Sequence, residues 1–260
     1  MSVGAARATS TDEPVLRLRQ VTRRFAGLIA VNAVDLEVFA GQVHGVIGPN
    51  GAGKTTLFNL ISGFLLPDAG SVVLAGRDIT RLPTHRRTAL GIVRTFQNIR
   101  LFGGLTVTQN ILVGQHHVAG TGLRSIWPMP TRLERSLRDK SAELLELFRL
   151  GDYQNRLARE LPYGVQKRLE MARALASEPR VLMLDEPTAG MNEHESDEII
   201  DEILAIRQRG VTVLLVEHDM NVVMETSDQI SVLNFGKKIA EGEPEAVQAD
   251  EAVRVAYLGQ

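Results

Sequence analysis

The stretch "GPNGAGKTT", residues 48–56, decides the fold of this chain. It matches the pattern G-x-x-x-x-G-K-[ST] through Gly48, Gly53, Lys54 and Thr55. Glycines let the backbone wrap closely around a phosphate group, with its N–H groups pointing inward. In such a loop the lysine reaches the β- and γ-phosphates, and the hydroxyl that follows binds Mg²⁺. We predict phosphate-loop contacts from Asn50, Gly51, Ala52, Gly53, Lys54, Thr55 and Thr56, with Thr55 also a magnesium ligand.

The segments on either side of this loop supply the context that the motif requires. The preceding "VHGVIG" (43–48) is almost entirely apolar, which is typical of a strand buried on both faces. The following "KTTLFNLISGF" (54–64) predicts a short helix. A plain glycine-rich turn is the alternative interpretation. A strand before the loop and a helix after it favour phosphate binding.

The bulk composition is that of an ordinary globular protein. The chain has 260 residues, 44% of them hydrophobic and 23% charged, with a net charge of −2 and no cysteine. Disulfides and thiolate metal sites are therefore excluded, and nothing in the overall charge predicts a nucleic-acid partner. No apolar run approaches the roughly 20 residues of a membrane span. We expect a disordered tail over residues 1–12 and a single domain over 13–260.

The hydrophobic pattern changes along the chain. Short apolar or alternating runs predict strands at 15–21, 31–39, 43–48, 71–76, 92–96, 181–187, 211–218, 229–236 and 237–242. From about 105 to 177 the signals are helical, and another amphipathic helix is predicted over 192–210. We therefore predict an α/β core, residues 13–97 and 180–260, interrupted by a helical insert at about 98–179. The segment 120–130, with Gly, Pro and the only Trp, is predicted to be the loosest.

Two carboxylates follow a strongly apolar run in "VLMLDE" (181–186). A strand buried on both faces delivers such residues to the carboxyl edge of the sheet, where ligands bind in open α/β folds. Asp185 is predicted to hold Mg²⁺, and Glu186 to act as general base on the attacking water. A solvated strand end is the alternative, which the upstream phosphate loop disfavours.

Three other side chains are candidates for the same site, each with a structural alternative. His218 ends the strand after the carboxylates and could reach a γ-phosphate, although a strand-end histidine is more often structural. Gln97 follows a strand and could be a plain loop amide. Phe25 could stack on an adenine or be a core ring. His116 and His117 are adjacent, which makes them a poor pair of metal ligands on a helix.

These motifs, in this order, resemble the ATP-binding subunits of ABC transporters over nearly the whole chain. The resemblance implies a P-loop NTPase core with a mixed sheet, an N-terminal antiparallel β portion and a helical subdomain insert. It also implies ATP and Mg²⁺ as cofactors. By the same resemblance Phe25 stacks on adenine, Gln97 senses Mg²⁺ and the membrane partner, and His218 is the switch histidine. Gln97 is thus expected to be both a catalytic residue and a metal ligand.

The family's signature sequence "LSGGQ" aligns with "LPYGV", residues 161–165. The resemblance implies that Gly164, at the start of a helix, faces ATP held on the other subunit of a dimer. Here Pro162 replaces the signature serine, Val165 replaces the glutamine, and Asn192 replaces an aspartate in "AGMN" (189–192). Backbone N–H groups and the helix dipole remain to attract an anion.

A closer resemblance is to the ATPase subunits of branched-chain amino acid importers. It rests on "LPYGVQKRLEMARAL", "AGMN", "EHDM" and "VRVAYLG". It implies integral membrane permease subunits, a second ATP-binding subunit in a homo- or heterodimer, and indirectly a periplasmic or extracellular solute-binding protein. The chain would lie on the cytoplasmic, inner face of the cell membrane. ATPases for urea or amide uptake or for lipopolysaccharide export would look similar. A soluble ABC protein of repair or translation and a P-loop kinase are the other classes considered.

The stretch "NIRLFGGLTV" (98–107) places clustered apolar residues in a predicted surface connection. Such residues on a loop indicate a contact site, although packing of the helical insert onto the core is an alternative. The resemblance implies that a short helix of the membrane subunit docks there, near Gln97. The residues concerned are Ile99, Leu101, Phe102 and Leu105.

Overall fold

The computed structural model describes residues 13–115 and 131–258. The predicted tail at 1–12, the segment 120–130 and the pair His116 and His117 lie outside the described residues. The strands are β1 (Leu16–Phe25), β2 (Leu28–Val38), β3 (Val43–Ile47), β4 (Ala69–Leu74), β5 (Arg77–Asp78), β6 (Ile92–Arg94), β7 (Val181–Asp185), β8 (Thr212–Val216), β9 (Gln229–Asn234) and β10 (Lys237–Gly242). The helices are α1 (Lys54–Ser62), α2 (Thr84–Ala89), α3 (Val107–Gly114), α4 (Thr131–Leu147), α5 (Tyr163–Leu175), α6 (Glu193–Gln208), α7 (Met220–Thr226), α8 (Pro244–Ala249) and α9 (Glu251–Leu258).

A six-stranded mixed sheet forms the centre of the fold, in the order β10-β9-β3-β8-β7-β6. The five strands from β9 to β6 run parallel, and β10 pairs antiparallel with β9. Every residue of β3, β7 and β8 is buried. Helices cover both faces of such a sheet, which explains why these strands read as continuous apolar runs instead of alternating ones. The predicted α/β core with a mixed sheet is confirmed.

A second sheet is antiparallel and has the order β2-β1-β4-β5. Leu16 and Leu18 of β1 lie opposite Val38 and Leu36 of β2, and all four side chains are buried. Together with the apolar side of α1 they form one hydrophobic core. This sheet confirms the predicted N-terminal antiparallel portion.

The three helices α3, α4 and α5 follow one another between β6 and β7. Their apolar faces share a buried cluster that includes Ile111, Leu144, Leu145 and Leu169. The side chain of Thr106 caps α3 by accepting a hydrogen bond from the backbone N–H of Gln109. The predicted helical insert is therefore present and begins where β6 leaves the sheet.

Several boundaries differ from the sequence prediction. The sequence pattern predicts one helix over residues 131–150, but α4 ends at Leu147 because Arg149 adopts a left-handed backbone with φ 51° that stops the helix. Strand β6 ends at Arg94 instead of residue 96. Helices α2 and α7 were not predicted, since each is too short to show a helical period. Within the described ranges, no helix combines the length and apolar character required to cross a membrane.

Arg87 of α2 holds the end of α1 in place. Its side chain is completely buried, and its guanidinium donates four hydrogen bonds to backbone carbonyls. The acceptors are Leu60, Ile61, Thr80 and Leu82, at 2.6 to 2.9 Å. Burial lowers the pKa of Arg87 to about 10, which still leaves it charged at neutral pH. The last carbonyls of α1, which lack partners within the helix, are thus satisfied by a cation.

We predict that Arg87→Met destabilises the protein by about 3 kcal/mol, because several buried carbonyls lose their donors. Arg86→Met, at the exposed neighbouring position of the same helix, is the matched control and should change stability by no more than about 0.5 kcal/mol. Urea unfolding followed by circular dichroism measures both. Equal losses for the two variants would show that Arg87 does not anchor α1.

Candidate nucleotide site

The parallel strands bring the predicted site residues to one edge of the central sheet. The phosphate loop begins directly after β3, and the carboxylates lie at and just after the end of β7. His218 follows β8 by two residues, and Gln97 follows β6 by three. Since β6, β7, β8 and β3 are consecutive neighbours in the sheet, their carboxyl ends meet at this edge.

The phosphate loop depends on glycine at two positions. Gly48 has φ 150°, and a Cβ there would lie 2.1 Å from the carbonyl oxygen of Leu233. Gly53 has φ 103°, and a Cβ there would lie 2.3 Å from the carbonyl oxygen of Ala30. Any side chain would push the loop away from the strands behind it. Gly53 is also the N-cap of α1 and provides no side chain that could bond the first N–H groups of the helix.

Lys54 lies almost buried beneath the loop. Its ammonium donates hydrogen bonds to the carbonyl oxygens of Gly48 and, at 3.1 Å, Pro49. Burial lowers the pKa of Lys54, while the carboxylates of Glu186 and Asp185 oppose the shift. The direct partners of the ammonium are neutral carbonyl groups, so its positive charge remains available to an anion in the loop.

Glu186 is the point where the site residues converge. Its backbone is left-handed, with φ 50°, and its N–H donates to the carbonyl of Val216 at 2.8 Å. Carboxylate oxygen Oε2 lies 2.7 Å from Gln97 Nε2, which donates to it, and 3.0 Å from His218 Nε2. The structure thus brings together all three predicted catalytic side chains. A left-handed glutamate costs conformational energy, and such strain is concentrated at functional sites.

Two buried charged residues that sequence reasoning missed support this arrangement. Glu217 Oε1 accepts hydrogen bonds from the backbone N–H and hydroxyl of Thr188, and its Oε2 accepts from the backbone N–H of His218. It therefore ties the segment after β7 to the segment after β8. Lys167 of α5 donates to the carbonyl oxygens of Gln97 at 3.0 Å and Glu186 at 3.4 Å. Burial lowers the pKa of Lys167, an effect that nearby carboxylates oppose.

Asp185 is buried and paired with Arg94, whose Nη2 lies 2.6 Å from Asp185 Oδ2. Arg94 also donates to the side chains of Asn59 and Ser62 of α1. Sequence reasoning missed this arginine, although it lies three residues before Gln97 at the end of β6. The pair links α1, which carries the phosphate loop, to the carboxylate strand.

The donors available for Mg²⁺ are all oxygens. They are the hydroxyl of Thr55, the carboxylate of Asp185 and the side-chain carbonyl of Gln97, whose amide nitrogen donates to Glu186. Hard oxygen ligands of this kind suit Mg²⁺, so these residues fit the ion. Within residues 13–115 and 131–258, no group of three or more His, Asp and Glu side chains forms a metal site by itself. The remaining ligands would therefore come from phosphate oxygens and water.

A cleft of about 480 Å³ opens over the phosphate loop. Its floor consists of residues 50–56 and Glu186, and its mouth is apolar, formed by Phe25, Leu28, Ile29 and Phe235. Phe25 is 40% exposed, so the alternative of a core ring is wrong. The guanidinium of Arg23 lies 4.9 Å from the centre of the Phe25 ring and covers part of it. The cleft thus combines an anion-binding floor with an aromatic entrance.

A larger cleft of about 760 Å³ lies between the antiparallel sheet and the start of β3. Among its lining residues is His44, which is buried and whose pKa burial lowers to about 4. His44 Nε2 bonds Ser231 Oγ at 2.9 Å, and that hydroxyl bonds Glu241 Oε1 at 2.9 Å. None of the predicted site residues lines this cleft. The predicted phosphate-loop residues, Phe25 and Glu186 line the smaller cleft instead.

Gly164 does not line the cleft over the phosphate loop. It lies in the first turn of α5, where a Cβ would be 3.0 Å from Glu195 Oε1. Tyr163 beside it is exposed and donates its hydroxyl hydrogen to the carbonyl of Ala189 at 3.2 Å. Asn192 caps α6 in a reciprocal pair with Glu195. The signature stretch thus packs against "AGMN", and its helix terminus is separate from the nucleotide cleft of its own chain.

Comparisons with known proteins agree with this geometry. The ABC transporter family matches residues 31–189, more than half of the chain, and the branched-chain amino acid ATP-binding cassette transporter family matches residues 237–260. The high-affinity branched-chain amino acid transport ATP-binding protein BraF of Pseudomonas aeruginosa is 46% identical over 253 residues. Its counterpart LivG of Escherichia coli is 43% identical over 253 residues. Each alignment covers 96% of this chain and 99% of the relative.

Solved structures show the same architecture. The ADP conformation of an ATP-binding cassette of an ABC transporter superimposes with a TM-score of 0.82 at 34% identity, covering 95% of this chain and 99% of that one. A dimeric cassette in a post-hydrolysis state, bound to ADP and Pi, superimposes with a TM-score of 0.74 at 26% identity, covering 88% and 98%. The chain therefore belongs to the ABC transporter family, within the group of ATP-binding proteins whose members are named for branched-chain amino acid transport.

Proposed function

We propose that this protein is the ATPase subunit of an ABC importer that takes up branched-chain amino acids. The observation that carries the proposal is the meeting of Gln97 and His218 on one carboxylate oxygen of Glu186, beside the phosphate loop. The names of the 43–46% identical relatives support the transported solute. The chain would act on the inner face of the cell membrane, attached to integral membrane permease subunits. A solute-binding protein on the other side would deliver the amino acid.

ATP would lie in the cleft with its phosphates in the loop. Backbone N–H groups of residues 50–56 and the ammonium of Lys54 would bind the phosphate oxygens. Phe25 would stack against the adenine with the part of its ring that Arg23 leaves open. Binding therefore divides into a charged half at the floor and an aromatic half at the mouth.

Mg²⁺ would be held by Thr55, Asp185 and Gln97, together with phosphate oxygens and water. When bound, the ion neutralises charge on the β- and γ-phosphates. Arg94 already balances one oxygen of Asp185, so this carboxylate would be shared between the arginine and the ion. Arg94 thereby holds the carboxylate of Asp185 directed toward the site.

Glu186 would act as the general base. Its carboxylate takes the proton of a water molecule whose oxygen attacks the γ-phosphorus, while the bond to the β–γ bridging oxygen breaks and ADP leaves. His218, at 3.0 Å from the carboxylate and half exposed, is placed to donate a hydrogen bond to the γ-phosphate or to Glu186. Gln97 orients the same carboxylate from the other side. The carboxylate of Glu186 is thus contacted by one residue from the segment after each neighbouring strand.

We predict that Glu186→Gln retains ATP binding but loses at least a hundredfold in hydrolysis, because an amide cannot accept the proton of water. Phosphate release measures the rate and calorimetry measures the affinity. Glu217→Gln is the control for a nearby carboxylate that touches no nucleotide, and it should lose stability more than activity. Hydrolysis at the wild-type rate in Glu186→Gln would rule out Glu186 as the general base.

A complete site would need a second ATP-binding subunit. The helix terminus at Gly164 does not reach its own cleft, so it would contact ATP bound to the facing subunit. The dimeric cassette bound to ADP and Pi supports such an arrangement. Pro162 and Val165 leave the backbone N–H groups of α5 as the donors. We extend the proposal to a dimer in which each nucleotide lies between two chains.

Mixing two inactive variants tests this arrangement if the chain forms homodimers, which Glu186→Gln should trap with ATP. Lys54→Ala should lose ATP binding through removal of the loop charge. Gly164→Val should bind ATP yet fail to hydrolyse it, because the branched side chain shields the helix N–H groups without adding charge beside Glu195. A mixed dimer retains one intact site, so part of the ATPase activity should return. Absence of any recovery in demonstrated homodimers would contradict a site shared between chains.

The permease would dock on the segment after Gln97. Phe102 is 51% exposed, and the guanidinium of Arg173 lies 5.5 Å from its ring centre. Both backbone groups of Phe102 bond the side chain of buried Asn110, which fixes the segment on α3. Leu101 and Leu105 are partly buried, so packing of the insert accounts for them.

We propose the division expected from sequence, with residues 13–97 and 180–260 as the nucleotide core and about 98–179 as the helical, permease-facing subdomain.

We predict that Phe102→Asp uncouples transport from ATP hydrolysis. In proteoliposomes containing the full transporter, amino acid uptake should fall at least tenfold, while the ATPase activity of the isolated subunit stays within twofold. Val255→Asp changes an exposed apolar residue on α9 and is the matched control, expected to leave both activities intact. Uptake by Phe102→Asp equal to that of the wild type would argue against docking at this segment.

A further inference from the structure

Phe235 combines an exposed aromatic ring with a backbone conformation that is unfavourable for a bulky residue. It is 83% exposed, and its backbone is left-handed with φ 44°. It forms the two-residue turn between β9 and β10 together with Gly236, whose φ is 77°. Such turns favour Asn, Asp or Gly, and a bulky residue with positive φ is strained. Because the ring is exposed, it buries little apolar surface and contributes little stability to offset the strain of the turn. This combination indicates a function other than folding.

The turn is fixed against the phosphate loop. The N–H of Gly236 donates to the carbonyl of Ala52 at 2.9 Å, and the carbonyl of Gly236 accepts from the N–H of Asn32 at 2.8 Å. A Cβ on Gly236 would lie 2.8 Å from the carbonyl oxygen of Ala30. The backbone beneath Phe235 is therefore held between the loop and β2, although its ring is exposed.

The ring belongs to the apolar mouth of the nucleotide cleft. Phe235 lines the cleft together with Phe25, Leu28 and Ile29. Arg23 covers part of the Phe25 ring, and Leu28 is 69% exposed. None of these four side chains that form the mouth carries a hydrogen-bonding group. These side chains can pack against the face of a flat ring but cannot form hydrogen bonds with the polar atoms at its edge.

We propose that Phe235 is a second aromatic contact for the nucleoside base, in addition to Phe25. The inference rests on the proposed function, because it assumes that the cleft binds a nucleoside triphosphate through the phosphate loop. The base then reaches the apolar mouth, where two phenyl rings and two aliphatic side chains enclose it. Because such contacts depend on the size of the base, the cleft should bind purines more tightly than pyrimidines. It should show little difference in affinity between adenine and guanine nucleotides.

Replacing Phe235 with glycine removes both the aromatic ring and the backbone strain, so it should increase stability and decrease nucleotide affinity. Phe235→Gly should raise the melting temperature, because glycine accepts φ 44° without strain. It should also weaken ATP and ADP binding on the order of tenfold, the usual effect of losing one stacked aromatic ring. Phe235→Tyr keeps the ring and should bind both nucleotides like the wild type. Calorimetry is performed on monomeric protein, verified by ultracentrifugation, so that no second subunit contributes to binding.

The turn between β4 and β5 provides a matched control. Ala75 and Gly76 there have φ 45° and 76°, close to the φ values of Phe235 and Gly236, and neither residue lines the cleft. Ala75→Gly should raise the melting temperature and leave nucleotide affinity unchanged. Inorganic tripolyphosphate serves as a probe that has phosphates but no base. Its affinity should be the same for the wild type and Phe235→Gly.

The possible outcomes separate this inference from the proposed function. ATP affinity in Phe235→Gly equal to that of the wild type would overturn the inference and leave the phosphate site intact. An equal loss for ATP and tripolyphosphate would show that the turn supports the loop instead of the base, which also overturns it. Failure of the wild type to bind ATP at all would overturn the proposed function itself.

Discussion

The parallel order of the central strands is the constraint on which the site depends. Strands β3, β7 and β8 are buried at every position, so along their length they can carry no exposed polar group. The first positions where charge is tolerated are their carboxyl ends, and parallel pairing brings those ends to one edge. Asp185 is the last residue of β7, and Glu186 leaves the strand in a left-handed turn. The predicted site residues lie at this edge because the buried length of the three strands cannot present polar groups to a ligand.

Much of this arrangement could be predicted from sequence. The spacing of Gly48, Gly53 and Lys54 predicts the loop, and the apolar runs that end at Glu186 and near His218 predict neighbouring strand ends. The roles of Gln97 and His218 were implied by the family resemblance, and in the structure each of these side chains lies within hydrogen-bonding distance of Glu186 Oε2. The local patterns are readable from a single sequence, whereas the order of the strands in the sheet comes from the structure.

The supporting ion pairs and buried charges could not be predicted. Arg94 and Asp185 are 91 residues apart in sequence, and Thr188 and Glu217 are 29 apart. Each pair forms only because two strands became neighbours, and no spacing rule links an arginine to a carboxylate at such distances. Arg87 was missed for a related reason. Its four acceptors are backbone carbonyls, which every residue carries, so they leave no trace in the sequence.

Helix α5 physically connects the parts of the molecule that must act together. Residues at intervals of three contact different regions in turn: Gly164 faces Glu195, Lys167 bonds the carbonyls of Gln97 and Glu186, and Glu170 accepts from the N–H of Arg100. Arg173 then lies over the ring of Phe102.

Each step of three residues falls about 60° short of a full helical turn, so these four contacts wind around about half of the circumference of α5. Burial lowers the pKa of Lys167 and raises that of Glu170, and the mutual attraction of the two charges opposes both shifts. Moving the segment away from α5 would break the hydrogen bonds of Lys167 to Gln97 and of Arg100 to Glu170 and leave two buried charged groups without these partners, which costs several kcal/mol. The segment from Gln97 to Phe102 is therefore more easily displaced together with α5 than away from it. A force applied at Phe102 would reach both Glu186 and the helix terminus at Gly164 through one rigid element.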